Sequence, residues 1–427
     1  MIENYYRLLI VSHNCFSLED SNGRTLAGLV KGWPKEMIAQ FYTYNQIPNS
    51  NVCDNFFRVT DKQALLSIIT CPIIGKVDKN ESVQKSETSR IKRKRYRNPL
   101  MMLIRDIVWN LGLWKGKNFK KWINEFNPEI ILVQAGDATY SLKIATDLAT
   151  KRNIPLIVYN SEGFYFKNNN YFISKGLTSW LYPLFIFSLR KQIRKTYKYA
   201  SHIIYLNSQL QEDFNKYLVK PSSVIYNASD IEPNNCYRNN NENLKMSYLG
   251  NLGLNRYKTL IELASVIQRI KPNQKLDIYG NSPSQEVTFA FANVSTINYK
   301  GFVSYQDVKE VIKQSDILFH VESFDNFYVE DTKYGFSTKM ADSLMSGKCF
   351  FLYAPKSLAC SKYLIENIPE CTASNIEELE LKIKKIVENV EFRMECATRC
   401  LDLAKKNHSS DFVAKKFKNV VSNVMKL

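Results

Sequence analysis

Short, nearly all-apolar runs recur through this chain, and each is followed by a stretch whose apolar residues fall at helical spacing. A strand apolar at consecutive positions has to be covered on both faces, and a helical crossover between two such strands makes them parallel. In the first half the runs are RLLIVSH (7–13), EIILVQAG (129–136), IPLIVYN (154–160) and SHIIYLN (201–207). Between the second and third, DATYSLKIATDLATKRN (137–153) sets Tyr140, Ile144 and Leu148 on one helical face. The second half repeats the scheme with LKMSYLG (244–250), KLDIYG (275–280), DILFHVE (316–322) and KCFFLYA (348–354) as strands. YKTLIELASVIQRIK (257–271), SYQDVKEVIKQS (304–315) and STKMADSLMSG (337–347) are the helices between them. The pattern predicts an α/β protein. At 427 residues the chain is too long for one ordinary core, so it reads as two doubly wound, Rossmann-like domains facing across a cleft. The Asn-rich CYRNNNENLK (236–245) is the expected linker, giving domains 1–238 and 239–409. SSDFVAKKFKNVVSNVMKL (409–427) reads as an amphipathic helix behind a Ser-Asp cap, with 410–427 crossing back to complete the first domain.

Charge is shared unevenly. Residues 1–200 hold 30 Lys+Arg against 15 Asp+Glu, which is +15 of the total +17; the remainder holds 28 against 26. The front half is therefore expected to meet something anionic. A hydrophobic content of 45% excludes extensive disorder. Nine cysteines without a C-x-x-C pair, and four histidines without ligand spacing, predict reduced, buried thiols in a cytosolic protein and no protein-held metal. No signal-peptide pattern opens the chain, and the longest apolar candidate, LTSWLYPLFIFSL (177–189), is broken by Pro183 and too short to span a bilayer.

The stretch YGFSTKMADSLMSGKCFFLY (334–353) carries the clearest chemistry. Ser337 and Thr338 suit the first positions of a helix, where free amides and the positive end of the dipole attract anions. Lys339 adds a full charge. Asp342, three residues on, lies on the same face one turn deeper, where a carboxylate can hold the paired hydroxyls of a ribose. The ligand suggested is a nucleoside diphosphate. A capped helix with a surface Lys-Asp pair is the plain structural alternative. A second element, SYLGNLGLNRYKTL (247–260), puts Gly250 and Gly253 after a strand and Arg256 and Lys258 at the entry to a helix. Glycine lets a backbone approach a phosphate, and Arg grips one with two donors. The spacing is not the dinucleotide fingerprint, which argues against NAD.

Taken in order, YLGNLGLNRYKTLIELA, KLDIYGNSP, INYKGFVSYQDVKEVIKQSDILFHVESF and GFSTKMADSLMSGK resemble the donor domain of GT-B-fold glycosyltransferases, notably the large retaining group that builds bacterial surface polysaccharides. Upstream, VIYNASD (224–230) resembles the N-G-x-D signature that closes the first domain of that group, with Asn227 and Asp230 in place and Ala228 for Gly. The resemblance implies donor binding by Gly250, Gly253, Arg256, Lys258, Gly301, Val303, Ser337, Thr338, Lys339 and Asp342, with Gly301 to Val303 beside the nucleobase. It implies a reaction centre of Arg256, Lys339 and Tyr334. Asn251 and Tyr334 depart from it, standing where relatives have an arginine and a glutamate. It further implies helix termini and cations, rather than a metal or cofactor, to stabilise the departing diphosphate. No D-x-D motif is present.

In the first half, Asn22, Gly23 and Arg24 are expected in a loop after the first strand, where this family holds its acceptor. Asp137 and Glu162 follow other strand ends and suit acceptor hydroxyls. His13 reads as a structural histidine, or as a base if the enzyme inverts. SRIKRKRYRNPLMMLIRDIVWNLGLWKGKNFKKW (89–122) interleaves basic residues with Trp109 and Trp114, which suits an anionic membrane better than nucleic acid, since no nucleic-acid module accompanies it. Trp180 to Phe187, before RKQIRKTYK, repeats the theme but reads more readily as a buried helix. Together these imply a glycosyltransferase peripheral to the inner face of the cell membrane, moving a sugar from a UDP- or GDP-linked donor to a lipid-linked saccharide in capsule or O-antigen synthesis. The competing readings are a non-catalytic binding protein on the same scaffold, a same-fold nucleotide-sugar epimerase, and a nucleic-acid binder using 89–122.

Overall fold

The structure is a computed structural model, and it describes residues 5–70, 75–77, 97–172, 178–234, 244–281 and 284–426. Most of the expected linker (236–243) and of the basic run (90–96) lie outside the described residues. The chain forms two compact units: Met1–Ile225 with Ala414–Leu427, and Tyr226–Val413.

The first unit is built on eight strands: β1 (Leu8–Ser12), β2 (Ile38–Tyr42), β3 (Asn55–Arg58), β4 (Gly75–Lys76), β5 (Ile130–Ala135), β6 (Leu156–Asn160), β7 (His202–Tyr205) and β8 (Ser222–Val224). They lie in the order β4-β3-β2-β1-β5-β6-β7-β8, parallel except for the β3–β4 pair. Leu8 of β1 pairs with Ile38 on one side and Ile130 on the other, so every β1 residue is buried. Helices α1 (Ser21–Leu29), α2 (Asp61–Leu66), α3 (Pro99–Leu111), α4 (Lys117–Phe126), α5 (Thr139–Arg152), α6 (Tyr182–Tyr199) and α7 (Ser208–Asn215) complete it. Local chemistry sets their starts. Asp20 accepts from the Asn22 and Gly23 amides, Thr60 and Gln63 make a capping box, and Asn98 caps α3 with Pro99 next in line. α3 stops at Gly112, which takes the left-handed conformation (φ 69°).

The tryptophans of the membrane-directed stretch are core residues here. Trp109 stacks on Tyr140 with centroids 4.3 Å apart, and Trp114 packs on Phe41 at 5.4 Å, both fully buried. The expectation that they face lipid is therefore corrected: Trp109 lies on the inward face of α3 against α5, and Trp114, in the turn after α3, packs against β2. Trp180, expected inside, is exposed.

The second unit has six parallel strands: β9 (Met246–Leu249), β10 (Leu276–Tyr279), β11 (Ile297–Gly301), β12 (Ile317–Val321), β13 (Cys349–Tyr353) and β14 (Thr372–Ala373). Their order is β11-β10-β9-β12-β13-β14. α8 (Arg256–Ile270), α9 (Gln285–Ala292), α10 (Tyr305–Gln314), α11 (Asn326–Thr332), α12 (Thr338–Met345), α13 (Ala359–Asn367), α14 (Ile376–Glu388) and α15 (Val390–Asn407) connect and cover them. The chain enters this unit at Tyr226, before the Asn-rich stretch, because residues 227–229 are already bonded into it. The Asn227 amide group donates to the Phe336 carbonyl (2.7 Å) and the Ser229 amide to the His408 carbonyl (2.8 Å).

The last helix, α16 (Ser410–Met425), starts in the second unit and ends in the first, where Phe417 lies against Trp33 (6.0 Å) and Lys418 sits over Tyr5 (3.9 Å). Among the described residues, no helix is long and apolar enough to cross a membrane.

Candidate functional site

In the second unit the strand order reverses between β9 and β12. Connections leaving these two neighbours run to opposite sides, and a crevice opens at their carboxyl ends. Whatever follows β9 and β12 is therefore placed to meet a ligand.

After β9 the chain turns through Gly250–Asn255. Leu254 and Asn255 both take left-handed backbone (φ 60° and 58°), and α8 starts at Arg256 with no side-chain cap. The Arg256 guanidinium donates to both carboxylate oxygens of Glu322, at 2.8 and 2.9 Å, directly after β12. Glu322 also meets His320 Nε2 at 3.2 Å, and its carbonyl accepts from Thr259. Burial opposes ionisation of Glu322, but the His320 hydrogen bond and the Arg256 charge outweigh it and hold the carboxyl below its ordinary pKa. The pair thus bridges the crevice as a charged fork. Lys258 is exposed on α8 and lines a shallow cleft of ≈ 340 Å³ with Asn255, Glu262, Ser323, Phe324 and Asp325.

Gly250 is used by the protein itself. A Cβ there would come 2.2 Å from the Tyr248 hydroxyl, and one on Gly280 would come 2.5 Å from the Gly250 carbonyl oxygen. These glycines let the β9 and β10 turns touch. Asn251 accepts from the Gly253 amide (2.8 Å), which folds the turn. Gly301 (φ 85°) ends β11 and accepts from the Gly280 amide at 3.0 Å, with exposed Phe302 and half-buried Val303 following.

α12 runs against the strand direction, so its N-terminus lies at the carboxyl end of the sheet. Ser337 caps it by accepting from the Lys339 amide (3.2 Å), and Thr338 is buried behind. The segment leading in is tied down: Asn227 holds the Phe336 carbonyl, and the Asn227 carbonyl faces His408 Nδ1 at 3.0 Å. Burial pushes His408 down to about 4, so the ring is neutral; Nδ1 donates to that carbonyl, and Nε2 accepts from Tyr363 (3.0 Å). Asp342 departs from its expected place. Its carboxylate is fully buried and accepts from the Ser229 hydroxyl at 2.8 Å. Its neighbours Ala341 and Ser343 are buried too, so it braces Ser229 instead of lining the crevice. Tyr334 is buried ahead of α12, with the Lys333 ammonium 5.0 Å over its ring.

The first unit has its own reversal between β1 and β5. Asn22, Gly23 and Arg24 do not form a loop; they are the first turn of α1, whose leading amides Asp20 already takes. Gly23 is needed for packing, since a Cβ would lie 2.5 Å from the Cys15 carbonyl oxygen. Asp137 binds Arg97 and accepts from Tyr171 (3.2 Å), while Glu162 is exposed after β6. His13 Nδ1 meets Thr43 at 2.8 Å, and Thr43 meets Tyr140 at 3.2 Å. Burial and then the nearby Arg105 push His13 down to about 4.

Residues 259–419 match a sequence profile of the glycosyl transferase-like family. Three solved structures resemble the whole chain: HepE from Anabaena in complex with UDP and glucose (12% identity, 98% of this chain and 99% of that one, TM-score 0.61), sucrose-phosphate synthase from Thermosynechococcus elongatus (12%, 98% and 98%, 0.62), and the lipopolysaccharide outer core galactosyltransferase WaaB in its apo form (12%, 98% and 99%, 0.59). The chain has the GT-B fold, and its residues 259–419 are similar to the glycosyl transferase-like family. No curated protein sequence matches it. The glycosyl transferase-like match starts at Thr259, so it takes in Glu322, Ser337, Lys339 and Asp342 and leaves the Gly250–Lys258 turn outside.

Glu322 and His320 are the site residues that sequence reading missed. The signal was present: a carboxylate ends the run DILFHVE, and the end of a buried parallel strand is where side chains reach a crevice.

Proposed function

We propose that this GT-B protein transfers a sugar from a nucleotide-diphosphate sugar, UDP- or GDP-linked, to a saccharide acceptor. The observation that carries the reading is the crevice between β9 and β12. One helix there begins at Arg256 without a side-chain cap, and α12, the helix before β13, opens with Ser337, Thr338 and Lys339. Amides, hydroxyls and cations at the carboxyl end of a parallel sheet suit a diphosphate. Cleaving the sugar–phosphate bond leaves extra negative charge on that diphosphate. Lys339 and the Ser337 and Thr338 hydroxyls would stabilise it as it develops, beside an Arg256 held by Glu322. In this proposal catalysis needs no metal and the sugar keeps its anomeric configuration, with the leaving phosphate taking the acceptor proton. The acceptor is a lipid-linked saccharide at the inner face of the cell membrane, in assembly of a surface polysaccharide such as capsule or O-antigen. The basic first half, +15 over residues 1–200, supports an anionic acceptor setting.

Calorimetric titration with UDP and GDP tests the reading. One of them is expected to bind, and Lys339→Ala to weaken it at least tenfold without lowering the melting temperature. Unchanged affinity in that variant would overturn the site. A second reading, nucleotide-sugar binding without transfer, draws on the Arg256 guanidinium being closed by Glu322 and on Tyr334 replacing a carboxylate. Transfer or donor hydrolysis across a nucleotide-sugar panel separates the two.

A further inference from the structure

The expected lipid-facing tryptophans are buried, yet the helix that carries Trp109 turns a second apolar face outward. On α3, Met101, Ile104, Ile107 and Leu111 recur at helical spacing and each is about half exposed or more, while Met102, Asp106 and Trp109 fill the inward face. α3 packs beside α6 and the short 3-10 turn Ser179–Leu181 ahead of it. There Trp180 is 75% exposed, and Leu184 and Phe187 (66%) follow at four- and three-residue steps on the same face. Single exposed apolar residues are ordinary, but a contiguous set on two adjacent helices marks a contact surface.

What covers it is indicated by the charge that continues the pattern. Along α6 the stripe Trp180, Leu184, Phe187 runs on, one helical step at a time, into Lys191, Lys195 and Lys198, all exposed. α6 holds no Asp or Glu, and the one acidic residue of α3, Asp106, is buried. Beyond α3, Lys117 and Lys120 are exposed on α4. We propose that this α3–α6 face docks on an anionic lipid bilayer, with its apolar side chains in the acyl–headgroup boundary and the lysines on lipid phosphates. A second copy of the chain fits poorly, because it would bring together two first halves that each carry +15 over residues 1–200. A nucleic acid would leave the apolar centre uncovered. The surface rests on the lipid-linked acceptor reading only for its purpose, since it would bring the protein to such a substrate.

The protein supplies its own reporter. Of its five tryptophans, Trp33, Trp109, Trp114 and Trp122 are buried and Trp180 is not. The full-length chain should co-sediment with vesicles of phosphatidylcholine and phosphatidylglycerol, more weakly with phosphatidylcholine alone, and less as salt rises. Trp180 emission should shift to the blue on binding, and Trp180→Phe should abolish the shift. Ile107→Glu and Phe187→Glu should each lower vesicle affinity at least tenfold with an unchanged melting temperature. Lys191→Gln, Lys195→Gln and Lys198→Gln should each lower it roughly fivefold. Absence of vesicle binding, binding indifferent to Ile107→Glu and Phe187→Glu, or a dimer lost on those substitutions in a protein that ignores vesicles would each overturn the proposal. UDP titration of the same preparations reports separately on the sugar-transfer reading, so the two can fail independently.

Discussion

At the end of its central strand β1, the first unit hands the chain to a helix whose leading amides are already occupied by Asp20. At the equivalent place in the second unit, after β9, the helix starts uncapped and with Arg256 as its first residue. Both strands stand beside the point where their sheet reverses order, so topology is shared and capping is not. A carboxylate cap satisfies the first helix start; at the second, the Gly253 and Asn255 carbonyls take the Arg256 and Lys258 amides, and Glu322 takes the Arg256 guanidinium. The same contrast runs outward to the surface. The first unit spends its charge on the α6 lysines and α4, and the second concentrates polar chemistry in the crevice. Two sheets with the same kind of switch point thus carry different chemistry, exposed apolar side chains and lysines on one unit and a polar crevice on the other.

The strongest test of that contrast removes the crevice fork. Glu322→Ala leaves Arg256 buried without its partner, and should cost about 3–5 kcal/mol. Calorimetry should show the second unit melting earlier with the first unmoved; a matched fall in both would break the comparison.

Acid should then treat the units alike, for reasons that differ only in location. His13 and His408 each have a folded pKa near 4 against 6.5 when unfolded, so the unfolded chain binds more protons in that window. Their contribution is complete above pH 6.5 and is lost as pH falls toward 4, roughly 3 kcal/mol for each ring. His13→Asn should flatten the acid dependence of the first unit alone, and His408→Asn that of the second, read from urea unfolding at stepped pH. Glu322, held charged, gives way only at lower pH.

The smallest effects come from two glycines of the first unit. Gly23→Ala should destabilise by about 1–3 kcal/mol, since the new methyl meets backbone of residues 15 and 17. Gly136→Ala, with nothing within 4 Å of a Cβ, should stay within about 0.5 kcal/mol of the parent.

Much of the architecture was legible because buried parallel strands are written as unbroken apolar runs. The runs at 7–13, 129–136, 154–160 and 201–207 became β1, β5, β6 and β7. β2 escaped notice because Gln40 interrupts it, yet that amide is fully served inside, donating to Ser12 Oγ (2.9 Å) and accepting from the Phe16 amide (3.0 Å). The helix start at Ser337 was readable from its residue types. Which way Asp342 and Trp109 point was not, since helical spacing defines faces and only packing says which face is inward. The partner of Arg256 was hidden for another reason: Glu322 lies 66 positions away and meets it only through the pairing of β9 with β12.

The middle of α16 has a consequence for synthesis. Trp33 and Tyr5 receive Phe417 and Lys418 from the far end of the chain. A ribosome therefore releases almost the whole of the second unit before the first has its last covering side chains. Until then, the earliest-made sheet waits with an aromatic ring unsheltered, and a chaperone that recognises exposed tryptophan would find its target there.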